Sequence, residues 1–301
     1  MYKGKPQLKN DTVDLAVLSD IHGNYIALER CISYALLRGI STFIFLGDYV
    51  GEFPYPEKTM EILYRMDAQY KCYFVRGNKE NYWIDYQDNG ESGWQDNNST
   101  TGSLLYTYNH LSKRDIAFFR ELPVSQNIKI KNMPSITICH GSPYKVNQKL
   151  LPDSDETLEI MDAIETSIIL CGHTHIQNKI ENKGKVVLNG GAVGVPLYSN
   201  GQSQFMILHG AEGQWKEEFV SFEYDVERVI RELHLSGLDY HAPYWCMVTE
   251  KLLRDGNISH GKILKRAMSL CNNETGSCIW PDVPEKYWKQ AVAEYMQDES
   301  K

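Results

Sequence analysis

Seven side chains in this sequence are of kinds that hold hard or borderline metal ions, and they fall in five short clusters. Asp20 and His22 lie in Asp20-Ile21-His22-Gly23-Asn24, and Asp48 follows Gly47. Asn78 follows Gly77, His140 precedes Gly141, and His173 and His175 lie in Gly172-His173-Thr174-His175. A mixed nitrogen and oxygen set without thiolate suits Mn, Fe or Zn rather than a soft metal. Seven donors are too many for one such ion and fit two if one carboxylate bridges. Two ions about 3.5–4 Å apart clamp the entering and leaving oxygens of an in-line attack on phosphorus, and a bound water becomes hydroxide near neutral pH. Any one of these clusters is commonplace. Their order, each after an apolar run, is what points to chemistry.

Such a centre needs elements that bring five distant motifs together. Val13 to Ser19 reads as a buried strand, Tyr25 to Arg38 as a helix, and Thr42 to Leu46 as a strand. Glu57 to Asp67 is helical in pattern and Tyr70 to Val75 is the next strand. This rhythm predicts an α/β sheet with helices on its faces. Ligands of such folds bind beyond the carboxyl ends of strands, where all five motifs fall, and the neighbouring glycines let the chain turn sharply there.

Residues 81–100 cluster Asn, Asp, Gly and Ser around Trp83, Tyr86 and Trp94, which predicts an irregular loop with short helical pieces. Two short helices are expected over Thr101 to His110 and Lys113 to Leu122, the second capped by Ser112. Strand pattern returns from Ile128 to Ile138 and from Ser167 to Cys171. Asn182-Lys183-Gly184 marks a hairpin turn, and Gln204 to His209 pairs with Gln214 to Phe222. After Tyr224 the pattern is helical, over Val226 to Leu235, Tyr244 to Arg254, Lys262 to Leu270 and Pro284 to Met296. The expected organisation is a catalytic domain over 1–222 and a helical extension over 223–301.

Composition narrows the function. With 42% apolar and 23% charged residues among 301, the chain is neither disordered nor a disulfide scaffold. The net charge of −8 weighs against extended nucleic acid as a partner, because phosphate neutralisation needs a basic surface. Metal ions would supply positive charge locally for a small phosphorylated substrate. Seven cysteines, none in a CxxC pair, together with a polar start from Met1 to Asp14, predict free thiols and a cytoplasmic location. No apolar run approaches the length of about 20 residues that spans a membrane.

The five motifs together resemble those of the calcineurin-like metallophosphoesterases, in particular the small bacterial and archaeal phosphodiesterases. The resemblance covers about residues 13–222 and extends to Leu188-Asn189-Gly190-Gly191-Ala192-Val193-Gly194, which is similar to the family's Asn-Pro-Gly-Ser-Val-Gly segment. It implies a four-layer α/β/β/α sandwich and two metal ions of Mn, Fe or Zn. Asp20, His22 and His175 are implied for one ion, Asn78, His140 and His173 for the other, and Asp48 as the bridge. The implied reaction is attack by a hydroxide bridging the two ions.

One departure matters. Many members carry His after Gly-Asn, placed to protonate the leaving group, whereas here the residue is Lys79. This favours a phosphodiesterase or nucleotide hydrolase over a phosphomonoesterase or protein phosphatase, with Lys79 as a helper for phosphoryl charge. A non-catalytic scaffold is the alternative of another class, and the complete ligand set argues against it. Arg76 and Lys145 adjoin ligand motifs and are candidates for a second phosphate contact. Tyr82, Trp83, Trp94, Tyr106 and Tyr108 form either a nucleobase pocket or an aromatic lid packed on itself. Cys139 and Cys171 end apolar strands and read as core. His110, His209, His234, His241 and His260 read as structural. The extension, with Tyr240-His241-Ala242-Pro243-Tyr244-Trp245, covers the cleft or forms a homo-oligomer face.

Overall fold

The computed structural model describes residues 12–298. Two five-stranded sheets stack face to face. The first has the order β10-β9-β1-β2-β3, with β1 (Val13–Leu18), β2 (Thr42–Phe45), β3 (Lys71–Phe74), β9 (Ser203–Ala211) and β10 (Gln214–Phe222). The second has the order β4-β5-β6-β8-β7, with β4 (Ser125–Ile128), β5 (Ile136–Cys139), β6 (Ile168–Cys171), β7 (Gln177–Asn182) and β8 (Lys185–Gly190). β1, β2 and β3 run parallel, as do β5, β6 and β8; the strands added at the edges are antiparallel.

The strand period of two explains the layers. Leu15 and Val17 of β1 point between the sheets with Ile44, Ile136, Ile138, Leu170 and Leu188. Ala16 and Leu18 point the other way, onto the layer of α1 (Tyr25–Leu37) and α2 (Pro56–Gln69). On the far side Cys139, Ile169, Cys171 and Val187 pack with Ile160 and Met161 of α6 (Asp155–Ala163). The four-layer arrangement is thus present, and Cys139 and Cys171 are core, their thiols pushed up in pKa by burial.

Two local expectations need correction. Residues 78–88 form a regular helix, α3 (Asn78–Asp88), rather than the start of a loop. Glu80 reaches back to accept from the Gly77 N–H at 2.7 Å and satisfies a donor the helix start leaves free. The stretch Ile128 to Ile138 is two strands, not one; they are antiparallel, joined by a turn that contains Pro134 and left-handed Asn132. The helix α6, unassigned from sequence, starts on an acidic first turn, Asp155 and Glu156, that suits the helix dipole. Other local readings hold. Ser112 caps α5 (Lys113–Glu121) by accepting from Asp115 N–H, and Lys183-Gly184, both at positive φ, close the β7–β8 hairpin.

α4 (Gly102–His110) and the helices after β10 pack on the outer face of the first sheet. These are α7 (Val226–Leu235), α8 (Leu238–His241), α9 (Pro243–Asp255), α10 (His260–Thr275) and α11 (Glu285–Asp298). Leu233, Trp245, Val248 and Trp288 belong to the same apolar core as Leu18 and Phe45. No helix among the described residues is long and apolar enough to cross a membrane.

Candidate metal centre

Six of the seven predicted residues sit on loops leaving β1, β2, β5 and β6, and Asn78 opens α3 just after β3, all beyond carboxyl ends of strands. The loops are tied to one another before any side chain is considered. His22 N–H donates to Asp48 O at 2.9 Å, and Gly172 N–H to His140 O at 2.8 Å. His173 N–H donates to Asp20 Oδ2 at 3.0 Å, and Lys79 N–H to Asp48 Oδ1 at 2.8 Å. Five of the seven, Asp20, His22, Asp48, His173 and His175, hold positive φ between 53° and 66°. Non-glycine residues adopt this conformation at a cost of about 1–3 kcal/mol each where surrounding structure dictates it, and such strain gathers at functional sites. Two glycines are needed for space: a Cβ at Gly77 would collide with Asp48 Oδ1, and one at Gly172 with Ser19 Oγ.

Asn189 explains the Leu188–Gly194 segment. Its amide donates to Gly172 O at 2.6 Å and to Thr174 Oγ1 at 3.0 Å, and its Oδ1 accepts from Gly191 N–H at 2.9 Å. It therefore pins the turn that carries His173 and His175.

Donor atoms of Asp20, His22 and His175 lie within 4.8 Å of one another, as do those of Asp20, Asp48 and His140. Asp20 is common to both groups. Asp48 also touches both sides, at 3.6 Å from His22 Nε2 and 3.4 Å from His140 Nε2. Asn78 Oδ1 is 3.1 Å from His140 Nε2. His173 stands edge-on to the His140 ring, centroids 5.1 Å apart, outside either group.

The residues fit a metal on chemical grounds. Three imidazoles have Nδ1 engaged away from the centre: His22 with Glu52, His140 with Leu46 O at 2.7 Å, and His175 with Val195 O at 3.0 Å. Each bond orients the ring so that Nε2 turns to the carboxylates, the usual outer arrangement of a metal-bound histidine. His22 Nε2 is buried and makes no hydrogen bond at all. Such an orphan is costly in a fully enclosed site.

Electrostatics lead to the same place. Burial alone would raise Asp20 and Asp48, yet His175 and His140 hold Asp20 well below the carboxylate range, and His140 with His22 brings Asp48 down to about 2. Burial would lower the imidazoles, yet Glu52 and Asp20 lift His22 to about 10, and Asp48 and Asp20 lift His140 to about 9. His173 goes the other way, to about 4, through burial and the neighbouring His140. The carboxylates thus demand cations, and a metal ion answers that demand while leaving the imidazoles neutral to ligate.

Around the centre lies a cleft of about 270 Å³. Lys79 reaches it, buried, with Nζ 2.6 Å from Glu52 Oε1, so Glu52 joins Lys79 to His22. Arg76 and Lys145 do not line the cleft; Lys149 does. Of the five aromatic residues singled out, Tyr82 alone lines it, and Trp280 already stacks on its ring at 5.7 Å. Trp83 is sealed in the core, Tyr106 lies on His110, and Trp94 and Tyr108 pack around Tyr86, an aromatic lid packed on itself. The remaining wall comes from the extension: Trp245, Leu252, Ser259, His260, Gly261 and Leu264. His260, read as structural from sequence, is part of the site. Trp245 ends the segment expected either to cover the cleft or to form an oligomer face, and it lines the cleft. Glu52, Glu80 and Lys149 were missed; Glu52, four residues after Asp48, and Glu80, two after Asn78, had proximity as a signal.

Residues 13–213 match the calcineurin-like phosphoesterase superfamily domain, and the chain belongs to that family. It is accordingly a hydrolase of phosphoric ester bonds, of a family that uses divalent metal ions. The chain is 27% identical over 240 residues to the uncharacterized protein MJ0912 of Methanocaldococcus jannaschii, covering 73% of this chain and 91% of that one. Its fold is that of hypothetical protein PH1004 from Pyrococcus horikoshii, at 24% identity and a TM-score of 0.68, and of a metallophosphoesterase from Sphaerobacter thermophilus, at 20% and 0.66. Each comparison covers 82% of this chain and all of the other.

Proposed function

We propose that the protein is a phosphodiesterase of small substrates with two transition-metal ions. Asp20, His22 and His175 hold one ion, Asn78, His140 and His173 the other, and Asp48 lies between them. When bound, such ions neutralise phosphoryl charge and make water a nucleophile near neutral pH. The observation that carries the reading is the set of imidazoles anchored through Nδ1, whose Nε2 atoms converge on Asp20 and Asp48. Glu52 orients His22, and Glu80 orients Asp48 by accepting the Asp48 and Tyr49 N–H groups at 3.0 and 2.9 Å.

Preference for a diester follows from charge. Lys79 is neutralised by Glu52, so it neither donates a proton readily nor adds net positive charge. Among the described residues lining the cleft, Lys149 is the cation with no carboxylate beside it. A singly charged diester suits this balance better than a monoester dianion. At about 270 Å³ the cleft is also at the small end for ligand sites, which run about 300–1,000 Å³.

The test is turnover with Mn of bis(4-nitrophenyl) phosphate against 4-nitrophenyl phosphate. The bis ester is expected to be hydrolysed with the higher kcat/KM. Turnover of the monoester alone would transfer the assignment to a phosphomonoesterase, and no turnover of either with Mn, Fe or Zn would overturn the reading.

A further inference from the structure

The extension builds its side of the cleft from a stacked pair. Trp245 on α9 and His260 at the start of α10 lie with ring centroids 4.1 Å apart and planes 23° from parallel. Leu252 and Leu264 extend the apolar surface, with Ser259 and Gly261 beside it. His260 is only 9% exposed, and its hydrogen bonding is determined by its neighbours. The buried Thr249 hydroxyl lies 3.0 Å from the Trp245 carbonyl, which can only accept, so the hydroxyl donates there. The same oxygen then accepts from His260 Nε2, 2.8 Å away. This places the ring proton on Nε2 and leaves a lone pair on Nδ1.

Nδ1 makes no hydrogen bond among the described residues, and His260 lines the cleft. Burial lowers the ring's pKa to about 3, so it stays neutral at ordinary pH. His260 therefore does not replace the imidazole acid missing after Asn78. It offers an acceptor, on a wall that Trp245, Leu252 and Leu264 make largely apolar.

We propose that this wall binds the organic part of the substrate and that His260 Nδ1 accepts a hydrogen bond from an N–H or O–H on it, which makes His260 a specificity-determining residue. The proposal deepens the phosphodiesterase reading and rests on it. The substrate class is a phosphodiester whose organic part is compact, mostly apolar and equipped with a donor. A polar group built to bond a substrate donor discriminates far more strongly against analogues lacking it than apolar contact does, because it is then left unpaired.

Two chromogenic diesters with the same nitrophenolate leaving group test this on the Mn-loaded protein. Bis(4-nitrophenyl) phosphate has no donor, whereas thymidine 5′-(4-nitrophenyl phosphate) has both N–H and O–H. The wild type is expected to favour the thymidine ester at least tenfold in kcat/KM. His260→Phe keeps the stack on Trp245 and removes both nitrogens. It should lower kcat/KM for the thymidine ester, through KM, at least tenfold more than it lowers kcat/KM for the bis ester. Independently, the ¹⁵N resonance of His260 Nδ1 should show a lone-pair nitrogen and move upfield with thymidine 5′-monophosphate but not with inorganic phosphate. Equal losses on both esters, no such shift, or wild-type preference for the bis ester would overturn the proposal while the phosphodiesterase reading stands. Failure of the wild type to hydrolyse either ester would overturn both.

Discussion

The two walls of the cleft are built in opposite ways. On the sandwich side, Asp20, His22, Asp48, His173 and His175 sit on short strand-end loops in left-handed backbone, and donor atoms of Asp20, His22, Asp48 and His175 face one another at close range. On the extension side, Trp245 and His260 come from two helices in relaxed geometry, and the surface is neutral and largely carbon. The first wall stores strain and charge and depends on a rigid double sheet to hold them. The second stores neither and is held by apolar packing in the core it shares with Trp288. Chemistry and selectivity are therefore assigned to parts of the chain held in different ways, and substitutions on the two sides should fail differently.

The largest effect is expected at Asp48. Asp48→Asn keeps an Oδ1 for the Lys79 N–H but removes the charge that faces both His22 and His140. Loss of at least ten-thousandfold in kcat/KM, about 5.4 kcal/mol of transition-state stabilisation, should accompany a fall from near two to below one metal per chain by elemental analysis. The melting temperature in chelator should barely move. Full metal content in an inactive variant would remove Asp48 from the ligand set. Trp245→Ala is the matching experiment on the other wall. Trp245 packs between His260 and Trp288 in the shared core, and truncating a buried Trp costs about 3–5 kcal/mol of stability. Chemical denaturation should show that loss while metal content stays at the wild-type level. If metal content fell in parallel, the two walls would be one cooperative unit and the contrast between them would not hold.

This contrast also decides what sequence could reveal. The proposed ligands stand out in sequence because each lies in a local motif: a strand end, a glycine and a donor within five residues. The sheets were legible because short apolar runs such as Leu15-Ala16-Val17-Leu18 alternate with helical patterns in a βαβ rhythm. The helix from Asn78 was missed because its first turn, Asn-Lys-Glu-Asn, has no apolar periodicity and is set by Glu80 folding back on Gly77. The strand break before Ile136 was missed because Ile128 and Ile130 continue the apolar alternation into the turn. Glu52 and His260 were illegible for a deeper reason. The partners of Glu52 lie 27 and 30 residues away, and the cleft residues that His260 joins are scattered between His22 and Leu264. No spacing rule connects them; only the packing of the extension on the first sheet does.

Glu52 is the seam between the walls, and it gives the smallest and sharpest test. One of its oxygens takes the His22 Nδ1 proton, and the other takes Lys79 Nζ at 2.6 Å. Lys79 in turn lies 5.5 Å from the Trp245 ring, so a metal-facing imidazole is linked through one carboxylate to the extension. Glu52→Gln is nearly isosteric but has only one acceptor oxygen. Its amide must present N–H to either His22 or Lys79, both of which are already donors. If the amide oxygen stays with Lys79, His22 loses the bond that turns Nε2 toward Asp20 and Asp48. If it stays with His22, Lys79 becomes an uncompensated cation within the cleft. In either case metal binding weakens, since replacing an outer partner of a ligating histidine costs about 10–100-fold in affinity. A Mn titration by calorimetry on chelator-stripped protein should register that loss at only one of two sites, because His140 and His175 are anchored to Leu46 and Val195 carbonyls that the substitution does not touch. Equal weakening at both sites would mean that Glu52 acts through the charge of the whole centre and not through His22.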